Sequence, residues 1–402
     1  MSATVIEALH RFLPAHLRQH FPAMTDAQKR AVWAINNCRT AQLGGHLHVC
    51  APCKNREFHY HSCNHRNCPQ CGKNNTAQWV NNQLNKRIGA PYFMVTFTLP
   101  AELRKLFFTP QAKEIYQLFF SAASSSLNDS LANPRRLGTK ENGFTMILHT
   151  WNQRLHFHPH IHTIVPGAGI TADGRVVSVK NAKFLVSQSA LRRIFRARFR
   201  DGLAALAKEH QSREVQRSRE AQPLYATRTE IDPAVWQKDW GINIKPFGSG
   251  ENIIKYLGRY VCRTAIGDSR IINVTDTHVS FRWKDRDNNN EQKTETLEGG
   301  EFLKRYLRHV LPKGLRAIRY YGYCHPAAKL KRERVTFHTG RPLFIGTIPA
   351  AAKKPPHSYT CPCCGQPMVK LLTILPPWRK QQTPSTILPT RAPPPNKKQQ
   401  SA

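Results

Sequence analysis

Acidic residues are scarce in this chain: 25 Asp and Glu stand against 60 Lys and Arg over 402 residues, a formal net charge of +35. Long apolar runs are also missing, and the mean hydropathy is −0.51. No stretch approaches the ~18 apolar residues that a bilayer span requires, so a membrane-spanning protein is not expected. The opening residues, Met1 to His20, hold His, Arg and Pro in place of an apolar core, so no secretory signal is expected either. There is no GxxxxGK[ST] run of the kind that forms a helicase P-loop. After Glu333 no acidic residue occurs at all.

What is present points to an anionic partner. A charge of this size repels itself unless neutralised, and nucleic acid is the commonest polyanion to do so. Membrane surface is the weaker choice, because no basic amphipathic segment stands alone at a terminus. Hydrophobic residues at 40% and aromatics at 9% suffice for packed cores, and the length suits two or three domains. The 11 cysteines lie mostly in tight groups. Without a secretory signal, that pattern favours metal binding in a reducing cytoplasm over disulfides.

The hydrophobic pattern alternates between helical and strand periods, so an α+β chain is expected. Ile6, Leu9, Phe12 and Leu13 recur at helical spacing before Pro14 interrupts, and Thr25-Asp26 can cap a second helix to about Cys38. Tyr92 to Leu99 predicts a buried strand, Ala112 to Leu131 an apolar-faced helix, and Thr145–Trp151 with Leu155–Val165 a strand pair. Ser189 to His210 predicts a helix with Leu191, Ile194, Phe195 and Phe199 on one side and Arg192, Arg193, Arg196 and Arg200 on the other. A further helix starts near Gly250, strands follow over Arg270–Val274 and His278–Trp283, and Glu301–Val310 is helical. The stretch from Pro376 is rich in Pro, Gln, Lys and Thr and is expected to be disordered.

Three groups of residues carry chemistry. Cys50-Ala-Pro-Cys53 and Cys68-Pro-Gln-Cys71 are paired CxxC knuckles, and each can place two thiolates on one tetrahedral zinc. Cys63, His65, His46 and His48 are nearby alternatives as ligands. Cys361-Pro-Cys-Cys364 is a third knuckle with no evident partner, Cys324 and His325 being distant candidates. His156-Phe-His158-Pro-His160-Ile-His162 is the second group. In a strand His160 and His162 share a face and can chelate one divalent ion, while Pro159 marks an edge or bulge and makes His158 a less secure ligand. Imidazole ligands by themselves favour zinc or iron over magnesium. The third group is Tyr256-Leu-Gly-Arg-Tyr260, two phenols one helical turn apart with Lys255 and Arg259 beside them. That segment alone is compatible with a core stripe, but a phenol next to a metal and cations can attack phosphorus.

Together these residues resemble the two-tyrosine HUH transposases of rolling-circle insertion sequences. The resemblance rests on Ser62-Cys-Asn-His-Arg-Asn-Cys-Pro-Gln-Cys71, on Leu148-His-Thr-Trp151 followed by His158-Pro-His-Ile-His162, and on the two-tyrosine run. It extends to His309–Gly314 and Ile318–Gly322, thus covering most of the chain. It implies a helical and zinc-binding DNA-recognition domain over residues 1–88 and an HUH nuclease domain with a central antiparallel sheet over 89–330. A C-terminal segment over 331–372 and a tail over 373–402 would follow. It further implies structural Zn²⁺, and a catalytic Mg²⁺ or Mn²⁺ held by His160, His162 and a third ligand, either His158 or a residue on the tyrosine helix. Tyr256 and Tyr260 would be the nucleophiles, with Lys255, Arg259, Arg192, Arg193 and Arg196 on DNA. The substrates would be single-stranded insertion-sequence ends and target DNA, in a bacterial cytoplasm and on the nucleoid. A replication initiator or relaxase of the same chemistry, and a zinc-ribbon DNA-binding protein without catalysis, are the alternatives. A carboxylate-triad transposase is disfavoured, since no acids cluster near the histidines.

Overall fold

The computed structural model describes residues 3–71, 75–216, 231–261, 264–285, 287–340 and 359–377. The chain opens with α1 (Val5–His20) and α2 (Asp26–Asn36), then the β1 (Gly45–Cys50) and β2 (Arg56–Tyr60) hairpin. α3 (Asn75–Asn85), β3 (Tyr92–Thr98) and α4 (Ala112–Leu131) follow. Next come β4 (Glu141–Asn142), β5 (Phe144–Trp151), β6 (Phe157–Pro166), β7 (Ala168–Ile170), β8 (Val176–Ser178) and α5 (Gln188–Gln216). The last part holds β9 (Gly241–Pro246), α6 (Glu251–Val261), β10 (Ile271–Val274), β11 (His278–Asp285), β12 (Glu291–Glu298) and α7 (Gly299–Leu307). β13 (Ile318–Tyr321), α8 (Lys329–His338) and β14 (Met368–Ile374) complete it. The segment expected to form a tail therefore begins as a strand, and its residues after 377 lie outside the described ones.

The chain forms two units, and the second is discontinuous. It draws the β1–β2 hairpin and β14 into one antiparallel sheet of order β14-β1-β2. This unit draws residues from both ends of the chain, because β1 pairs with β14.

The larger unit is built on a five-stranded sheet of order β13-β5-β6-β3-β9, with every neighbouring pair antiparallel. Alternation along the strands separates two faces. One carries Phe93, Val95, Phe97, Phe144, Met146, Leu148, Ile161 and Val165 into the main core, where α4 and α5 cover it through Phe119, Phe120, Leu191, Phe195 and Phe199. The other carries Tyr92, Ile147 and Ile164 into a second cluster with Ile253, Ile254 and Leu257 of α6. At about 25 cal/mol per Å² of apolar surface removed from water, these two clusters dominate the stability of the unit.

Local chemistry accounts for most boundaries. The Thr25 hydroxyl accepts from Gln28 N at 3.3 Å while Gln28 Oε1 accepts from Thr25 N at 3.0 Å, a reciprocal cap that starts α2 as the sequence predicts. Pro14 does not end the first helix; α1 runs through it to His20. The bond it removes falls on a surface where His10 and Pro14 are exposed, and water can serve the freed carbonyl. Pro159 sits at a bulge: Trp151 pairs with Phe157 but His149 with His160, so β6 carries an extra residue there.

Candidate metal and tyrosine site

The bulge between β5 and β6 sets which side chains meet. With His149 opposite His160 and Ile147 opposite His162, all four point to the α6 side of the sheet. β3 completes the arrangement, placing Thr98 opposite His160 and Thr96 opposite His162. The ring centroids of His149, His160 and His162 lie 5.3, 4.9 and 4.8 Å apart pairwise, and one nitrogen from each falls within 4.8 Å of the others.

His149 is the residue that reading the sequence for ligands missed. It is quoted there only as part of a motif, because its relation to His160 depends on register across the turn. His158, the third ligand considered, is not among the three whose ring nitrogens converge, although its ring centroid lies 5.3 Å from that of His160. Its Nδ1 accepts from Arg104 Nη2 at 2.9 Å, and burial with the Arg104 charge lowers its pKa to about 4.

The three rings are held in a form that can ligate. His160 Nδ1–H donates to the His158 carbonyl at 2.7 Å, and His162 Nδ1 bonds the Thr96 hydroxyl at 3.0 Å. Those bonds engage Nδ1 of each ring and fix its orientation. Burial, reinforced by His162 and His160, holds the His149 pKa well below the ordinary value, so its ring is neutral near pH 7. Three imidazoles converging in this way fit a divalent cation, and no carboxylate belongs to the group among the described residues.

Beneath the sites the turn is fixed by its own polar contacts. Asn152 Oδ1 accepts from Arg154 N at 3.0 Å and from His156 N at 2.9 Å. His309 is buried under it, its Nε2–H donating to the Leu155 carbonyl at 3.1 Å while Nδ1 accepts from the Thr150 hydroxyl at 3.2 Å.

α6 packs on the histidine face. Ile253, Ile254 and Leu257 are buried with Ile147 and Ile164, and half-buried Tyr256 packs against the same cluster. Gly258 explains how close the helix can come to α3: a Cβ there would stand 2.1 Å from Val80 Cγ2. Lys255 pairs with Glu251 at 2.6 Å, and Arg87 pairs with the same carboxylate at 3.3 Å. The side chains of Arg259 and Tyr260 lie outside the described residues.

The arginines of α5 lie away from the histidines. Their helix covers the opposite face of the sheet, because Leu191, Phe195 and Phe199 belong to the main core. Arg192 pairs with Asp239 at 2.5 Å and Arg196 donates to the Lys238 carbonyl at 2.8 Å, while Arg193 is exposed. They do not stand on the histidine side of the sheet.

The cysteines also regroup. Within the second unit Cys50 and Cys53 come together with Cys361 and Cys364, their thiols within 4.8 Å of one another. The expected pairing of Cys50 and Cys53 with Cys68 and Cys71 is thus replaced by one with the third knuckle.

Comparison with known proteins gives the family of this chain. Residues 143–333 match the family model described as "Putative transposase", and residues 8–99 match one described as "Transposase zinc-binding domain". The chain belongs to this transposase family. It is 36% identical over 323 residues to a protein named "Putative transposase y4qJ" from Sinorhizobium fredii, covering 79% of each chain. It is 29% identical over 318 residues to the transposase for insertion sequence element IS801 of Pseudomonas savastanoi pv. phaseolicola, covering 77% of this chain and 73% of the other. No solved structure matches it. Among the described residues no helix is long and apolar enough to cross a membrane.

Proposed function

We propose that this transposase nicks single-stranded DNA at insertion-sequence ends with a tyrosine nucleophile and transfers the strand in rolling-circle transposition. The observation that carries this reading is the packing of α6, with Tyr256, on the sheet face that presents His149, His160 and His162. In the reaction the Tyr256 phenolic oxygen attacks a backbone phosphorus and the bond from phosphorus to the 3′ oxygen breaks. The DNA 5′ phosphate becomes a tyrosine ester, and the departing 3′ oxygen takes up a proton. Exchange of one phosphoester for another keeps the bond available for transfer to a second 3′-OH. Tyr260, one turn further along α6, would serve the second cleavage.

His149, His160 and His162 would hold a divalent ion, which when bound polarises the scissile phosphate and neutralises charge in the transition state. Of the two ions that the family resemblance implies, the all-imidazole set favours Mn²⁺ over the harder Mg²⁺. Lys255, on the same helix as Tyr256, would add a cation for the backbone, as would Arg259. Thiolates of the zinc-binding domain matched over residues 8–99 would hold a structural zinc, and that module would read element ends.

The test uses a single-stranded oligonucleotide carrying an element end, with adducts resolved on denaturing gels. Wild type is expected to form a covalent adduct with Mn²⁺, while the Tyr256→Phe/Tyr260→Phe protein forms none. His149→Ala is expected to lose cleavage together with Mn²⁺ affinity measured by calorimetry, and His158→Ala to keep both. An adduct in the double tyrosine variant, or chelator-resistant cleavage by His160→Ala/His162→Ala, would refute the reading.

A further inference from the structure

We infer that Cys50, Cys53, Cys361 and Cys364 form a second four-thiolate zinc site, which staples the C-terminal strand β14 to the β1–β2 hairpin. The family's zinc-binding match ends at residue 99 and therefore does not reach Cys361 or Cys364.

Distance supports a metal. Cys50 and Cys364 Sγ stand 3.4 Å apart, Cys53 and Cys361 Sγ 3.5 Å, and Cys53 and Cys364 Sγ 3.5 Å. Four sulfurs at ~2.3 Å from a tetrahedral zinc lie about 3.8 Å from one another. The observed separations are near that value and well beyond a disulfide, which needs about 2.05 Å.

Backbone geometry supports it independently, because the two knuckles are copies of one another. In the first, Lys54 N donates to the Cys50 carbonyl at 2.9 Å and Cys50 N donates to the Asn55 carbonyl at 2.9 Å. In the second, Gly365 N donates to the Cys361 carbonyl at 2.8 Å and Cys361 N donates to the Gln366 carbonyl at 2.8 Å. The residue after each CxxC is left-handed, Lys54 at φ 58° and Gly365 at φ 72°. That conformation is unfavourable for lysine and is tolerated where the turn must wrap a ligand. Each pair also has one buried member, Cys50 or Cys361, and one exposed member, Cys53 or Cys364.

The surroundings complete a closed structural site. Asn55 Nδ2 donates to Cys361 Sγ at 3.7 Å, as expected for a group that steadies a thiolate. Cys50 and Cys361 are buried with Met368 under Tyr359, a cluster too small to hold three strands together by burial alone. Zinc supplies what that apolar surface cannot.

Zinc counting on the full chain, purified under reductant and analysed by elemental mass spectrometry, tests this. Wild type is expected to carry two zinc ions, Cys361→Ser and Cys364→Ser one each, and Cys363→Ser, whose thiol is outside the group, two. Because a serine variant could simply unfold the small sheet, Cys364→His is measured after Co²⁺ exchange. It should keep two metals while its thiolate-to-cobalt absorption falls and shifts, as one nitrogen replaces one sulfur. A wild type with one zinc, undiminished zinc in both serine variants, or loss of an ion in Cys363→Ser would overturn the proposal.

Discussion

On the proposed reading Thr96 does for His162 what a carboxylate does for many zinc-bound imidazoles, fixing one ring nitrogen so that the other would face the ion. Removing that hydroxyl leaves the ring in place but lets it turn. Thr96→Val is therefore expected to weaken Mn²⁺ binding ~10- to 100-fold, a typical cost of losing such a partner. Circular dichroism should be unchanged, and equal Mn²⁺ affinity in calorimetry would show that the bond does not orient the ligand. His309 offers a residue-scale test of a different kind. Burial lowers its pKa to about 4 from the ordinary 6.5. Below pH 6.5 the unfolded chain takes up a proton that the folded chain refuses, so stability is complete above 6.5 and declines as pH falls towards 4. At ~1.36 kcal/mol per pKa unit the contribution reaches about 3 kcal/mol. Urea unfolding followed between pH 7.5 and 4.5 should show this loss, and His309→Gln, which does not titrate, should show a shallower one.

Among the elements, α6 is decided by one glycine. Gly258 costs the helix about 1 kcal/mol against alanine, yet an added methyl would collide with Val80 of α3. Overpacking of that kind costs typically ~1–3 kcal/mol, so the steric penalty is expected to win. Gly258→Ala should lower thermal stability, and Val80→Ala in the same chain should recover part of it. A stabilised single variant would mean that α3 and α6 pack less closely than described. The sequence reveals α6 readily, and α4 nearly residue for residue, because their apolar positions repeat at helical spacing. It does not reveal β12, whose residues Glu291 to Glu298 are mostly charged or threonine. Their strand exists because β11 offers them a continuous backbone ladder from His278 to Asp285. The metal site divides in the same way: His160 and His162 are legible as an alternating pair, whereas His149 joins them only through a register that the bulge fixes. α5 shows the complementary limit, since its basic stripe is plain in sequence but the sheet face it covers is not.

For the molecule as a whole, the charge of +35 is a statement about binding under salt. If six to ten phosphates are neutralised, affinity for single-stranded DNA should fall on the order of 10²- to 10⁴-fold between 50 and 200 mM salt. Fluorescence anisotropy with an unrelated oligonucleotide should give nearly the same slope as an element end, because phosphate contacts carry no sequence information. A flat response would remove the polyanion argument. The discontinuous sheet has a bearing on how the molecule is made. β1 leaves the ribosome some 320 residues ahead of its neighbour β14. At ~5–20 residues per second, those residues take about 16 to 64 s. Through that interval the nascent chain exposes one hairpin edge and an incomplete pair of thiolates, while the five-stranded sheet can already assemble. Completion of the second unit therefore reports that translation has passed β14, and a chain terminated before it would carry the five-stranded sheet without that unit.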